Sequence, residues 1–187
     1  MKRWLVWLSR IHRCQGFGVQ SPSDFKFVRE VINQHAPYPE YDRLACEMPG
    51  MKGLELKLCR LYFRIARNKQ PQTIVNYGER ADSPSSKYMQ EGCKKARLKN
   101  SFSDAEEADL MRMTIEGDYK QVFEQAAAHA RQQSVLLIEG IKGGTQARAF
   151  WRKVQKDERT GVTYDLYYIG IVCFDKKRYK ENHIVNF

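Results

Sequence analysis

The residues best placed to do chemistry in this 187-residue chain are carboxylates at the ends of short apolar runs. The word Ile-Glu-Gly occurs twice, at 115–117 and 138–140, after stretches that read as strands, Leu110–Ile115 and Ser134–Ile138. If these strands are parallel neighbours, about 4.8 Å apart, Glu116 and Glu139 stand at the edge where ligands enter open α/β sheets. Asp118 could join them, and clustered carboxylate oxygens are what a hard cation needs. Glutamates facing loops are also commonplace, so no metal is expected. A third strand, Thr73-Ile-Val-Asn76, ends in Tyr77-Gly78-Glu79, and a glycine there lets backbone N–H groups approach a ligand. Nucleophilic catalysis has no support. His12, His35, His129 and His183 lie in separate elements, and no G-x-S-x-G, phosphate-loop or H-E-x-x-H word occurs. Cys14, between Arg13 and a glycine loop, reads as a bystander thiol.

The elements that must position these residues can be read from periodicity. Trp4, Trp7, Leu8 and Ile11 form one helical face, opposed by Lys2, Arg3, Arg10 and Arg13. One short helix buries too little to hold a membrane surface, so the face is expected to pack on the domain or on a second copy. Ser21-Pro22 reads as an N-cap and first helical residue, opening a helix over 23–34. Pro37 to Tyr41 breaks the chain, and 42–53 reads as irregular apart from a turn at 43–47. Leu54, Leu58, Leu61, Tyr62 and Ile65 then share a helical face, with Lys57, Arg60, Arg64 and Arg67 outside it. That basic row reads as a solvated face, and nucleic-acid binding is not expected. Tyr119, Val122, Phe123, Ala126, Ala127 and Ala130 form one later helical face, and Ala147, Phe150, Trp151 and Val154 another. Val162–Phe174 is too long for one straight strand, and Gly170 is the natural place for a bulge. A final strand, His183–Phe187, follows a charged turn and is expected to be antiparallel to it.

Composition bounds the class. With 42% apolar and 12% aromatic residues the chain is globular, and its length suits one core. The net charge is +10, concentrated in residues 1–70. Five cysteines without a C-x-x-C pair suit a reducing cytoplasm and make no metal knuckle. The apolar run Trp4–Leu8 is too short for a signal peptide, and no stretch could span a bilayer.

The order of these words resembles the class I S-adenosylmethionine (SAM)-dependent methyltransferases, most closely a small bacterial O-methyltransferase-like group. The resemblance lies in Ser134–Ile141, Phe150-Trp151, Asp165–Phe174 and His183–Phe187, taken in that order. It implies an α/β Rossmann-like fold: a mostly parallel sheet, a C-terminal antiparallel hairpin and a helical N-terminal extension (1–70) packed on the domain proper (71–187). It implies a SAM site around Tyr77, Gly78, Glu79, Glu116, Gly117 and Glu139. Two departures matter. The glycine-rich turn keeps one glycine, followed by Glu79-Arg-Ala-Asp-Ser-Pro84, and the acidic pair expected at the last strand end is Glu139-Gly140, with Lys142 behind. Residues 79–108 are also too few for the full set of strand–helix units. The unit with the acid for the ribose hydroxyls is read as missing, the alternative being a divergent strand near Leu98–Phe102. The expectation is a methyltransferase homologue with an eroded site, no cofactor, and a binding or assembly role as a homodimer. The alternatives are an active SAM-dependent enzyme on a small molecule and a basic nucleic-acid-binding module.

Overall fold

The structure is a computed structural model that describes residues 3–103 and 107–187. The chain enters through α1 (Arg3–Ser9), a 3₁₀ segment (Ile11–Gly16) and α2 (Pro22–Phe27), which runs on as a wider π turn (Val28–Ile32). Ser21 caps α2 as expected, its Oγ accepting the Asp24 N–H at 3.4 Å. Next come α3 (Pro39–Glu47), α4 (Gly53–Lys69), β1 (Thr73–Asn76), α5 (Pro84–Gly92), β2 (Arg97–Lys99) and β3 (Ala108–Thr114). The chain continues with α6 (Tyr119–Ala128), β4 (Ala130–Glu139), α7 (Thr145–Lys156), β5 (Thr163–Asp165), β6 (Ile169–Cys173) and β7 (Asn182–Ile184). Residues 39–47, read as a break followed by a turn at 43–47, are one helix with Pro39 in its first turn, where a missing N–H costs nothing.

The seven strands form one mixed sheet in the order β2-β1-β3-β4-β6-β5-β7. The first four are parallel, and β6 runs antiparallel to both β4 and β5. This is the expected Rossmann-like arrangement with a C-terminal antiparallel hairpin, but the hairpin is built otherwise. The run Val162–Phe174 is itself the hairpin β5–β6, closed through Leu166-Tyr167-Tyr168 with Tyr167 at φ +72. The last strand, β7, pairs with β5 in parallel, not antiparallel. Gly170 makes no bulge. It lies in regular register between Ile138 and Asp165, and its bare Cα makes room for Trp151, whose ring would stand 2.5 Å from an added Cβ.

The strand read as missing is present. β2 pairs in parallel with β1, Leu98 opposite Ile74. Its three residues, two of them basic, carry no apolar run because the strand sits at the edge, where charge blocks further pairing. Among the described residues no strand lies beyond it, so the sheet is short on that side.

Alternation along the strands divides the core. Ile74, Leu110, Val135 and Leu137 face α4 and α5, while Val75, Met111, Leu136 and Ile138 face α6 and α7. On α4, Leu58, Leu61, Tyr62 and Ile65 are buried as the spacing predicts. The basic row beside them is not simply solvated. Arg64 is buried and donates to the carbonyls of Val31 (2.6 Å) and Ile32 (2.9 Å), while Arg60 and Arg67 lie over the rings of Tyr41 and Tyr38.

The N-terminal segment is fastened at the end of the sheet opposite β2. Arg10 donates to the Asp165 carboxylate (2.8 Å) and carbonyl (2.9 Å), and Asn186 binds the carbonyl of Trp7 through its side chain and that of Arg13 through its backbone. The described part of this segment, from residue 3 on, thus packs on the domain at the β5–β7 end and not at the β2 edge. Among the described side chains of α1 only Val6 is buried, and Trp4 (58%), Trp7, Leu8 and Ile11 are exposed.

Candidate functional site

Three side chains at the carboxyl ends of β1, β3 and β4 meet under α4. Asn76 is in register with Arg112, and Glu139 with Thr114, so Asn76, Arg112 and Glu139 fall on the α4 face. Arg112 Nε donates to Glu139 Oε1 at 2.5 Å, and Nη1 donates to Asn76 Oδ1 at 2.9 Å and Glu79 Oε1 at 3.4 Å. The guanidinium lies over the ring of Tyr62, whose hydroxyl donates to the same Glu139 oxygen. The Asn76 amide donates to Ser85 Oγ (2.9 Å) and Ser86 Oγ (2.8 Å), tying the network to the start of α5.

A cavity of about 380 Å³ opens beside this network, lined by Leu58, Cys59, Tyr62, Glu79, Arg112 and Glu139 among others. Its electrostatics disfavour proton transfer. Burial, then the charge of Glu139, pushes the Cys59 thiol up to about 12, and the same causes push the Tyr62 phenol well above its ordinary value. Burial alone would lower Arg112, but the Glu139 carboxylate outweighs it and keeps the guanidinium charged. A wider depression of about 760 Å³ lies between α2 and α4 around Arg29, Arg64 and Arg67. Its lining includes the ion pair Lys26–Glu30, at 3.8 Å and exposed.

The turn after β1 is closed by its own chain. Gly78 has φ +74, the left-handed conformation that favours glycine, and its N–H donates to the Asn100 carbonyl at 3.0 Å. Tyr77 stacks on the buried Phe102, with ring centroids 5.7 Å apart. At the start of α5, Pro84 has no N–H to offer, and Ser83 Oγ accepts the Ser86 N–H at 3.3 Å. β2 runs into Asn100, with no carboxylate at its end.

Of the residues expected at the site, Glu79 and Glu139 come together, both on Arg112. Tyr77 and Gly78 border them on the turn. β3 and β4 are parallel neighbours as expected, yet Glu116 and Gly117 are not brought in. β3 ends at Thr114, the partner of Glu139, so Glu116, Gly117 and Asp118 stand past the sheet and are exposed. Among the described residues these carboxylates form no group that could share a metal ion. Sequence reasoning missed Arg112, Asn76 and Tyr62. The available signal was a lone arginine inside the apolar strand Leu110-Met-Arg-Met113.

No family model matches the sequence, and no curated protein matches it. Solved structures do. A methyltransferase from Geobacter sulfurreducens superposes with a TM-score of 0.55 at 13% identity, over 76% of this chain and 92% of that one. Cofactor-bound Rv0187 from MTB superposes with a TM-score of 0.53 at 10% identity, over 83% of this chain and 99% of that one. At this identity the likeness is one of fold.

Proposed function

We propose that this chain, with its class I SAM-dependent methyltransferase-like fold, has a degenerate cofactor site and works as a binding or assembly module. The observation that carries the reading is the internal pairing of the groups a cofactor would need. The Gly78 N–H is given to Asn100, the Ser86 N–H at the start of α5 to Ser83, and the Glu79 and Glu139 carboxylates to Arg112. A ligand binding there would have to displace bonds already made, with no offsetting carboxylate at the end of β2. The residues present therefore do not fit SAM.

The surface offered for assembly is the exposed apolar face of α1, and a second copy of the chain is its proposed partner. The basic row of α4 lends a nucleic-acid role no support, because Arg64 is buried on the carbonyls of Val31 and Ile32 and Arg60 and Arg67 lie over the rings of Tyr41 and Tyr38. No helix among the described residues is long and apolar enough to cross a membrane.

Calorimetric titration with SAM and S-adenosylhomocysteine tests the reading. The expected result is no saturable heat up to millimolar ligand. Micromolar, saturable binding would replace it with an active enzyme acting on a small molecule.

A further inference from the structure

A second polar cluster lies far from the cavity, where α2 meets the C-terminal strand. Asp24 of α2 is buried, and its Oδ1 accepts hydrogen bonds from the Tyr164 hydroxyl and from Arg178. Its other oxygen, Oδ2, faces His183 Nε2 at 3.8 Å, and Glu181 Oε2 stands 3.2 Å from the same nitrogen. The His183 side chain is 9% exposed, and its Nε2 has no hydrogen-bond partner among the described residues. A buried ring nitrogen without a hydrogen bond is costly. At 3.2 Å, Glu181 Oε2 is near enough to bond but approaches off the ring's N–H axis. Off-axis approach is the relation between two ligands that share an ion.

We infer that Asp24, Glu181 and His183 form a binding site for a divalent transition-metal ion, zinc first, clasping α2 to β7. The three ligand atoms lie within 4.8 Å of one another. Around a tetrahedral zinc with bonds of about 2.0–2.1 Å, neighbouring ligand atoms stand roughly 3.3 Å apart, against 3.2 Å for Glu181 and 3.8 Å for Asp24, which an ion would draw in. The imidazole selects zinc-like ions over magnesium, which prefers oxygen ligands. Tyr164 and Arg178 hold Asp24 by the oxygen not needed for the metal, the arrangement that orients a ligating carboxylate. Arg178 is also an opposing charge, offset by the two carboxylates. Glu181 is 44% exposed and leaves an entry path, with a fourth position for water. The site joins residues 157 to 159 positions apart in sequence, so an ion there would stabilise the folded chain in proportion to its affinity. The inference is independent of the reading of the cofactor corner.

The test uses the full chain, freed of metal by chelator dialysis and titrated calorimetrically with zinc chloride and, separately, magnesium chloride. One equivalent of zinc should bind with a micromolar or tighter Kd and raise the melting temperature, and millimolar magnesium should do neither. His183→Gln should abolish that equivalent. Glu181→Gln, at a half-exposed side chain, should leave the metal-free melting temperature unchanged and weaken zinc at least tenfold. The cobalt-loaded protein should show no thiolate charge-transfer band, which separates this site from the free cysteines. The inference is overturned by absence of a stoichiometric equivalent, by one that survives Glu181→Gln, by a thiolate band, or by equal binding of magnesium.

Discussion

At the scale of single residues, the protein holds several buried charges with partners from distant elements, and Arg112 and Asp165 are the two whose removal is most telling. Arg112 stands in an apolar strand and is stable there because Glu139, Asn76 and Glu79 surround it. Removing one member of such a set strands the others, whereas replacing the pair with apolar groups need not. Arg112→Met should therefore cost about 3 kcal/mol in denaturant unfolding, and Arg112→Met with Glu139→Leu should recover most of it. A single-variant loss below about 1 kcal/mol would mean the network is held by water, as a surface pair is. Asp165 is the second charge. Burial alone would raise its carboxyl, but Lys142 and Arg10 outweigh burial and hold it below the usual carboxylate range. A depressed folded value gives stability that is present above the unfolded value, about 3.9, and lost as pH falls through the folded one. Wild-type stability should thus decline below about pH 4, and Asp165→Asn should be less stable at neutral pH with a flatter acid limb. Parallel acid limbs in the two proteins would contradict this. The sequence showed the carboxylates Glu79 and Glu139, because strand ends are legible from apolar runs. It hid Arg112, Tyr62 and the trio Asp24, Glu181 and His183, because side chains from separate elements meet only in three dimensions.

At the scale of elements, the long apolar strands β3 and β4 and the amphipathic helices α4, α6 and α7 could be read from their periods, since burial on one or both faces sets the pattern. β2 (Arg97–Lys99) was legible only as the alternative strand near Leu98–Phe102, because an edge strand of three residues has no buried run to show. The β5–β6 hairpin, whose turn Leu166-Tyr167-Tyr168 holds no glycine, proline or asparagine and places a tyrosine at positive φ, could not be read. The element with the most unexplained surface is α1. Its anchors, Arg10 to Asp165 and Asn186 to the Trp7 carbonyl, fix it to the β5–β7 end while Trp4, Trp7 and Leu8 face outward. An exposed apolar face of this kind marks an interaction surface. Light scattering should find a dimer for the intact chain, and Leu8→Glu or loss of residues 1–9 should give a monomer with its sheet intact. A monodisperse monomer for the intact chain would remove α1 from any role in self-association.

At the scale of the whole molecule, the fold is that of methyltransferases, but one side of the sheet is short and the corner after β1 is stitched to what remains. With nothing beyond β2 among the described residues, Asn100 and Phe102 fold back over the turn. In the proposed reading, their hydrogen bond and stacked ring take up the backbone and face that a cofactor would need. Part of this was legible, since one glycine followed by Glu-Arg-Ala-Asp-Ser-Pro cannot form a glycine-rich loop. The stitching itself was not, because a backbone hydrogen bond to Asn100 leaves no mark in residue types. The most direct measurement is the amide spectrum of the ¹⁵N-labelled protein, following Gly78, Glu79 and Ser86 while S-adenosylhomocysteine is added to millimolar concentration. A self-closed corner predicts a Gly78 amide protected from solvent exchange and unmoved, like the other two, throughout the titration. A rapidly exchanging Gly78 amide that shifts and saturates with the ligand would contradict it.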